Sequence, residues 1–155
     1  MFLERKKLIS CTNVVIEKRY SVNLLAEPLE NKNLHEKVLT GGVVHNSTVL
    51  VYKGIFGELG YFDTKLKSGV DSEFIRRAVI LYDYKLDYLD YVSCKYSEID
   101  EKRMTNIVSI HDYKRKVSSH IINVLKYNVH FFKYPKALLI RIKVIIFHTI
   151  LYVLK

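Results

Sequence analysis

The residues best suited to chemistry lie between positions 60 and 77. They are Gly60-Tyr61-Phe62-Asp63, then Gly69-Val70-Asp71-Ser72-Glu73-Phe74, then Arg76-Arg77. Three carboxylates beside two glycines, in a loop that leads into a helix, can present an acid or base at the rim of a cleft. Gly69 reaches backbone angles closed to other residues, so the loop can approach a ligand closely. Asp71 stands at the start of the helix, where free backbone N–H groups favour an ionised carboxylate. An oriented carboxylate of this kind can accept the proton of an alcohol as its oxygen attacks an electrophile. Glu73, two positions on, is placed to bind a hydroxyl or to orient Asp71. The same residues also read as a cap, with Asp71 or Ser72 as N-cap and Ser68 and Asp71 in a capping box, and caps are the commoner use. Asp63 reads as the cap of a turn anchored by Phe62. One of Arg76 and Arg77 is suited to an acid or a phosphate, and a solvated helix face suits them as well.

The elements that must position these residues follow from the pattern on either side. Lys7–Tyr20 is rich in β-branched residues and predicts a strand. Residues 21–37 show no sustained period and predict a loop, with one helical turn near Asn33–Lys37. Thr40-Gly41-Gly42 is a turn or a place where backbone approaches closely. Val43–Tyr52 is β-rich, and Lys53–Leu59 predicts a short helix ended by Gly60 in a left-handed cap. Asp71 or Ser72 starts a better helix, with Phe74, Ala78 and Leu81 on one face and Ile75, Val79 and Tyr82 beside it. Leu86–Tyr96 alternates and predicts a strand, Ser97–Met104 a charged loop. Ile107–Val129 predicts a helix with Ile110, Tyr113, Val117, Ile121 and Leu125 as its stripe.

The chain has 155 residues, enough for one domain with its own core, and is 49% hydrophobic, which argues against disorder. Its net charge of +9 is unevenly placed. Residues 1–101 hold 14 Lys and Arg against 15 Asp and Glu; residues 102–155 hold 11 against Asp112 alone. The last third therefore suits an anionic surface, or simply a solvated basic face. Ala137–Leu154 is apolar except for Arg141, Lys143, His148 and Thr149. At helical spacing Lys133, Lys136, Arg141, Lys143, His148 and Lys155 share one arc, the pattern of a helix lying in a membrane interface. The alternative is an ordinary helix packed on the domain with snorkelling cations. Basic residues interleaved with Ile, Leu and Val rather than with stacking aromatics argue against nucleic acid as a partner. Cys11 and Cys94 have no metal spacing and are expected as free thiols. His45, His111, His120 and His130 show no ligand spacing, so no metal site is assigned. The N-terminus lacks an apolar core of signal-peptide length, so the expected location is cytoplasmic, peripheral to the inner face of the membrane.

Taken together, Thr40-Gly41-Gly42, Phe56-Gly57-Glu58-Leu59-Gly60-Tyr61-Phe62-Asp63, Gly69-Val70-Asp71-Ser72-Glu73-Phe74 with Arg76 or Arg77, the strand Tyr84–Tyr91 and Arg103-Met104-Thr105 resemble the family 2 glycosyltransferases. The resemblance covers roughly residues 8–106. It implies an α/β fold with a partial GT-A-like mixed sheet and flanking helices in residues 1–106, followed by a helical basic tail, 107–155. The implied reaction is transfer of a sugar, with inversion, from a nucleotide-sugar to a glycan or lipid-linked acceptor hydroxyl. Asp71 falls on the family's catalytic base; Thr40, Gly41 and Gly42 fall near the donor-sugar pocket, and Gly69 and Glu73 are expected to bind substrate as well. Val70 departs from the pattern, standing where the family usually has Glu. Nothing upstream of residue 40 contains the Asp-x-Asp that holds the divalent metal, Mg or Mn. The expected chain is thus the acceptor-side half, which needs a nucleotide-binding half from elsewhere and has little activity alone. The alternative is a non-catalytic membrane-associated module that retains a remnant of the fold.

Overall fold

The structure, a computed structural model, describes residues 7–18, 21–25, 33–41, 44–97 and 109–154. The β-branched run after Lys7 forms β1 (Leu8–Lys18), which lies at the centre of a four-stranded mixed sheet. Along one edge β4 (Lys85–Ser97) runs parallel to it, from Leu8 opposite Lys85 to Glu17 opposite Ser97, with an irregularity around Asn13. The other edge is shared by two antiparallel strands: β3 (Val49–Leu50) opposite Ser10 and Cys11, and β2 (Ser21–Leu25) opposite Val14–Lys18.

β2 corrects the expectation of a loop over 21–37. Its backbone is satisfied by the ladder to β1, a non-local term that overrides a featureless local pattern. The β-rich stretch 43–52 shortens to two paired residues, because Asn46–Thr48 forms a 3-10 turn in which His45 Nδ1 accepts the Ser47 N–H. Val43, the charged loop beyond Ser97 and Arg103-Met104-Thr105 lie outside the described residues.

Six helices complete the described chain: α1 (Leu34–Thr40), α2 (Ile55–Leu59), α3 (Val70–Tyr82), α4 (Ile110–Lys126), α5 (Asn128–Lys133) and α6 (Pro135–Val153). α2 ends at Gly60, whose φ of 78° is positive as expected, although its ψ of 173° is extended rather than left-handed helical. α3 starts at Val70, before the expected Asp71 or Ser72, and buries Phe74, Ile75, Ala78 and Val79. α4 begins with a capping box between Ser109 and Asp112. Its predicted stripe forms the buried face only in part: Tyr113 is buried, Ile110, Ile121 and Leu125 are exposed, and Ser119 and Asn123 are buried instead. Those two polar residues are drawn inward because they satisfy groups on α3 and its loop, described below.

One cluster of buried side chains joins Ile9, Leu34, Leu39, Ile55 and Val79 to Tyr127, Phe131 and Ala137. Tyr127, Phe131 and Ala137, in the stretch expected as a helical basic tail, therefore share the core of the sheet and the first helices. α6 packs against α4 and α1. The arc of cations is split: Lys136 and Lys143 are exposed as it predicts, and Arg141 and His148 turn inward. Arg141 is buried and His148 is half-buried against Tyr113, Phe147 and His120. Leu139, Ile142, Ile146, Phe147, Ile150 and Val153 are exposed instead. Among the described residues no helix is long and apolar enough to cross a membrane. Cys11 and Cys94 are free, and burial, then Asp87, pushes the Cys11 thiol up to about 11.

Candidate functional site

The end of α1, the start of α3 and the inner faces of α4 and α6 enclose a cleft of about 190 Å³, and a smaller pocket adjoins it. Gly41, Ser72 and Arg76 line both. Asp71 lines the smaller pocket, with Val38, Val44 and Ile75 supplying apolar walls. Thr40 and Gly69 line the larger cleft. Four of the residues singled out from sequence thus meet at one place. Gly42 lies outside the described residues.

The backbone explains why glycines stand there. Gly69 precedes α3 with φ 67° and ψ 32°, a left-handed conformation that other residues adopt only with strain. Gly41 has φ 97°, and a Cβ there would stand 2.7 Å from Arg141 Nη2. α3 has no side-chain cap: neither Asp71 nor Ser72 is the N-cap, and the predicted capping box with Ser68 is not formed. Asp71 instead sits in the first turn, where its Oδ1 accepts the N–H of Ser72 at 2.7 Å. That bond orients the carboxylate with a backbone donor on the wall of the smaller pocket.

Two buried arginines line the larger cleft. Arg76, 2% exposed, donates from Nε to the Val38 carbonyl (3.0 Å) and from Nη1 to Asn123 Oδ1 (2.7 Å). Asn123 in turn donates to the Ser119 carbonyl (2.8 Å), and Ser119 Oγ accepts the Ser68 N–H (3.2 Å). Arg141, 7% exposed, donates from Nε to the Leu39 carbonyl (2.7 Å) and from Nη1 to His120 Nδ1 (3.2 Å). A guanidinium only donates, so Nδ1 is the acceptor and the His120 ring proton lies on Nε2. Burial, then Arg76, pulls Arg141 down to about 10. Burial, followed by Arg141, His148, Arg76 and Lys116, holds His120 at about 4, so its ring is neutral near pH 7. Lys116, which also lines the cleft, is lowered by burial and then by Arg115, against Asp112. The Thr40 hydroxyl donates back to the Glu36 and Lys37 carbonyls (2.6 and 3.0 Å).

Glu73, expected to bind substrate, lines neither pocket. It is fully buried, accepting from Lys126 Nζ (2.6 Å) and Tyr127 OH (2.8 Å), with Arg77 Nη2 at 3.5 Å. Lys126 also binds Asp63 Oδ2 (2.9 Å), which lowers the Asp63 carboxyl. Burial lowers Lys126, but its bonds to Glu73 and Asp63 outweigh this and raise it. Arg77 donates to the Leu59 and Tyr61 carbonyls (3.1 and 2.7 Å), fixing the Gly60 turn to α3. Phe62, half-exposed, packs on Phe56 and Phe74. The acids at 63 and 73 hold the loop and α4 in place, and Asp71 alone of the three faces a pocket.

Sequence reasoning missed Arg141, Asn123, Ser119 and His120. One signal was available: an arginine within an apolar run must find polar partners where it is buried. Among the described residues no three of His, Cys, Asp and Glu are grouped to hold a metal ion. No family model, curated protein or solved structure matches the chain.

Proposed function

We propose that this chain is the acceptor-side portion of a family 2-like glycosyltransferase with a partial GT-A-like sheet. The observation that carries the reading is the position of Asp71. It is an oriented carboxylate on the wall of a half-apolar pocket, joined through Gly41, Ser72 and Arg76 to a cationic cleft. In this reading Asp71 takes the proton of an acceptor hydroxyl as that oxygen attacks the anomeric carbon. The new C–O bond forms as the bond to the donor's diphosphate breaks, and the nucleoside diphosphate leaves with its electron pair. Thr40, Gly41 and Gly69 border the reacting groups. In this reading the Mg or Mn that such a leaving group calls on belongs with an Asp-x-Asp half supplied from elsewhere.

Purified alone, the chain is expected to show little or no transfer from UDP- or GDP-sugars, and metal-dependent turnover by it would overturn the split-enzyme reading. Reconstituted with a nucleotide-binding half, Asp71→Asn should cut turnover by about 10²–10⁴-fold. Unchanged turnover would remove Asp71 as the base.

A second reading, a non-catalytic membrane-associated module, is favoured by the exposed apolar face of α6 beside Lys133, Lys136 and Lys143. Both readings seat 133–155 on an anionic lipid surface, with apolar residues in the interface and lysines among the headgroups. Flotation with anionic vesicles, against retention on nucleic acid at matched salt, tests that partner; retention without flotation would reverse it.

A further inference from the structure

We propose that the cleft between α3, α4 and α6 is a binding site for a phosphate or diphosphate group. The inference does not depend on any role of Asp71 in transfer. Three cationic side chains, Arg76, Lys116 and Arg141, line the cleft, and none of its described lining residues is acidic. Burying two guanidiniums side by side is costly unless an anion compensates them. Of the carboxylates near by, Glu73 is already engaged by Lys126, Tyr127 and Arg77, and Asp71 lines the adjoining pocket with one oxygen on the Ser72 N–H.

Each buried arginine is held by carbonyl or neutral acceptors through Nε and Nη1. No bond is formed by Nη2 of either one to the described residues. Two guanidiniums held by the backbone at Val38 and Leu39 are thus fixed before a ligand arrives, as strong oxyanion recognition requires. Gly69 and Ser72, at the start of α3, line the cleft, and Ser68 and Ser72 add hydroxyls at its wall. His120, neutral with its proton on Nε2, stacks on His148 at 5.9 Å and backs Arg141 without adding charge.

The test is calorimetric titration of the purified chain with inorganic phosphate, pyrophosphate, uridine diphosphate and a short-chain alkyl diphosphate. Pyrophosphate is expected to bind, and Arg141→Gln to weaken it by about tenfold or more. Tighter binding of uridine diphosphate would assign the group to the nucleotide donor; tighter binding of the alkyl diphosphate would assign it to a lipid-linked acceptor. Arg141→Gln loses an internal backbone anchor, so two further readouts accompany it. Lys116→Gln, which spares both backbone anchors, should weaken binding severalfold, and pyrophosphate should shift the His120 ring resonances. No binding of any of the four at millimolar concentration overturns the proposal. Binding that leaves His120 unmoved and is equal in Lys116→Gln also overturns it. Loss of Asp71-dependent transfer with anion binding intact would leave this site standing and the transferase reading fallen.

Discussion

Arg141 and His120 form a pair whose charge state is fixed by its surroundings. The ring faces Arg141 and Lys116, with Arg76 and His148 close by, so adding a proton to it is unfavourable. Its folded value of about 4 lies below the ordinary 6.5, so between those values the unfolded chain binds more protons than the folded one. Stability should therefore fall as pH drops from about 6.5 toward 4. His35 and His148 are shifted the same way, both first by burial, and should add to the fall. Thermal melts across this window should show a declining midpoint, less steep in His120→Gln; a flat profile would contradict the assignment. Glu73 supports a second prediction. Glu73→Ala leaves Lys126, Tyr127 and Arg77 without their shared acceptor and should cost about 3 kcal/mol by urea unfolding. Asp71, Gly69, Thr40 and Gly41 were legible in the sequence because turn chemistry and helix starts are local. The burial of Glu73 was not, because its partners lie 53 and 54 residues away.

α3 and α6 show how far periodicity carries. On α3 apolar spacing and burial coincide at Phe74, Ile75, Ala78 and Val79, but the predicted Leu81 is exposed and Glu73 and Arg76 are buried beside them. The start of α3 rests on Gly69, and a Cβ at that position would meet nothing within 4 Å. Gly69→Ala therefore isolates backbone strain from crowding and should cost about 1 kcal/mol by chemical denaturation. A neutral result would mean that the loop relaxes. On α4 the predicted Tyr113 is buried, but the inner face also holds Asn123 and Ser119, which serve Arg76 and the Ser68 backbone, and no hydrophobic pattern announces those two. On α6 the cations were found but Arg141 and His148 were placed on the wrong side. Spacing gives a shared arc and does not say whether that arc faces water or a cleft. The exposed apolar face that results should make vesicle binding sensitive to charge. Ile146→Glu with Phe147→Glu should reduce flotation about tenfold or more while shifting folding stability by under about 0.5 kcal/mol.

Across the whole molecule, charge and hydrophobicity are segregated along the chain but shared in the fold. The first 101 residues are nearly neutral and the remainder carries the basic excess, yet one core contains both. Attachment to an anionic membrane should then have two parts. Raising salt should release the part due to lysines, while the apolar face retains the rest, so flotation should fall only in part at about 0.5 M salt. Complete release would assign binding to charge alone. The mixed α/β character was legible from alternating strand and helix signals; the hairpin to β2 and the merging of the C-terminal helices with the core were not, since both arise from pairing across distance. Gly41 lies beneath Arg141, and the bond from Arg141 to the Leu39 carbonyl spans 102 residues. A chain emerging from the ribosome makes β1 and α1 well before this wall of the cleft. A ribosome stalled before α6 would therefore hold a partly folded chain whose proposed anion site lacks Arg141.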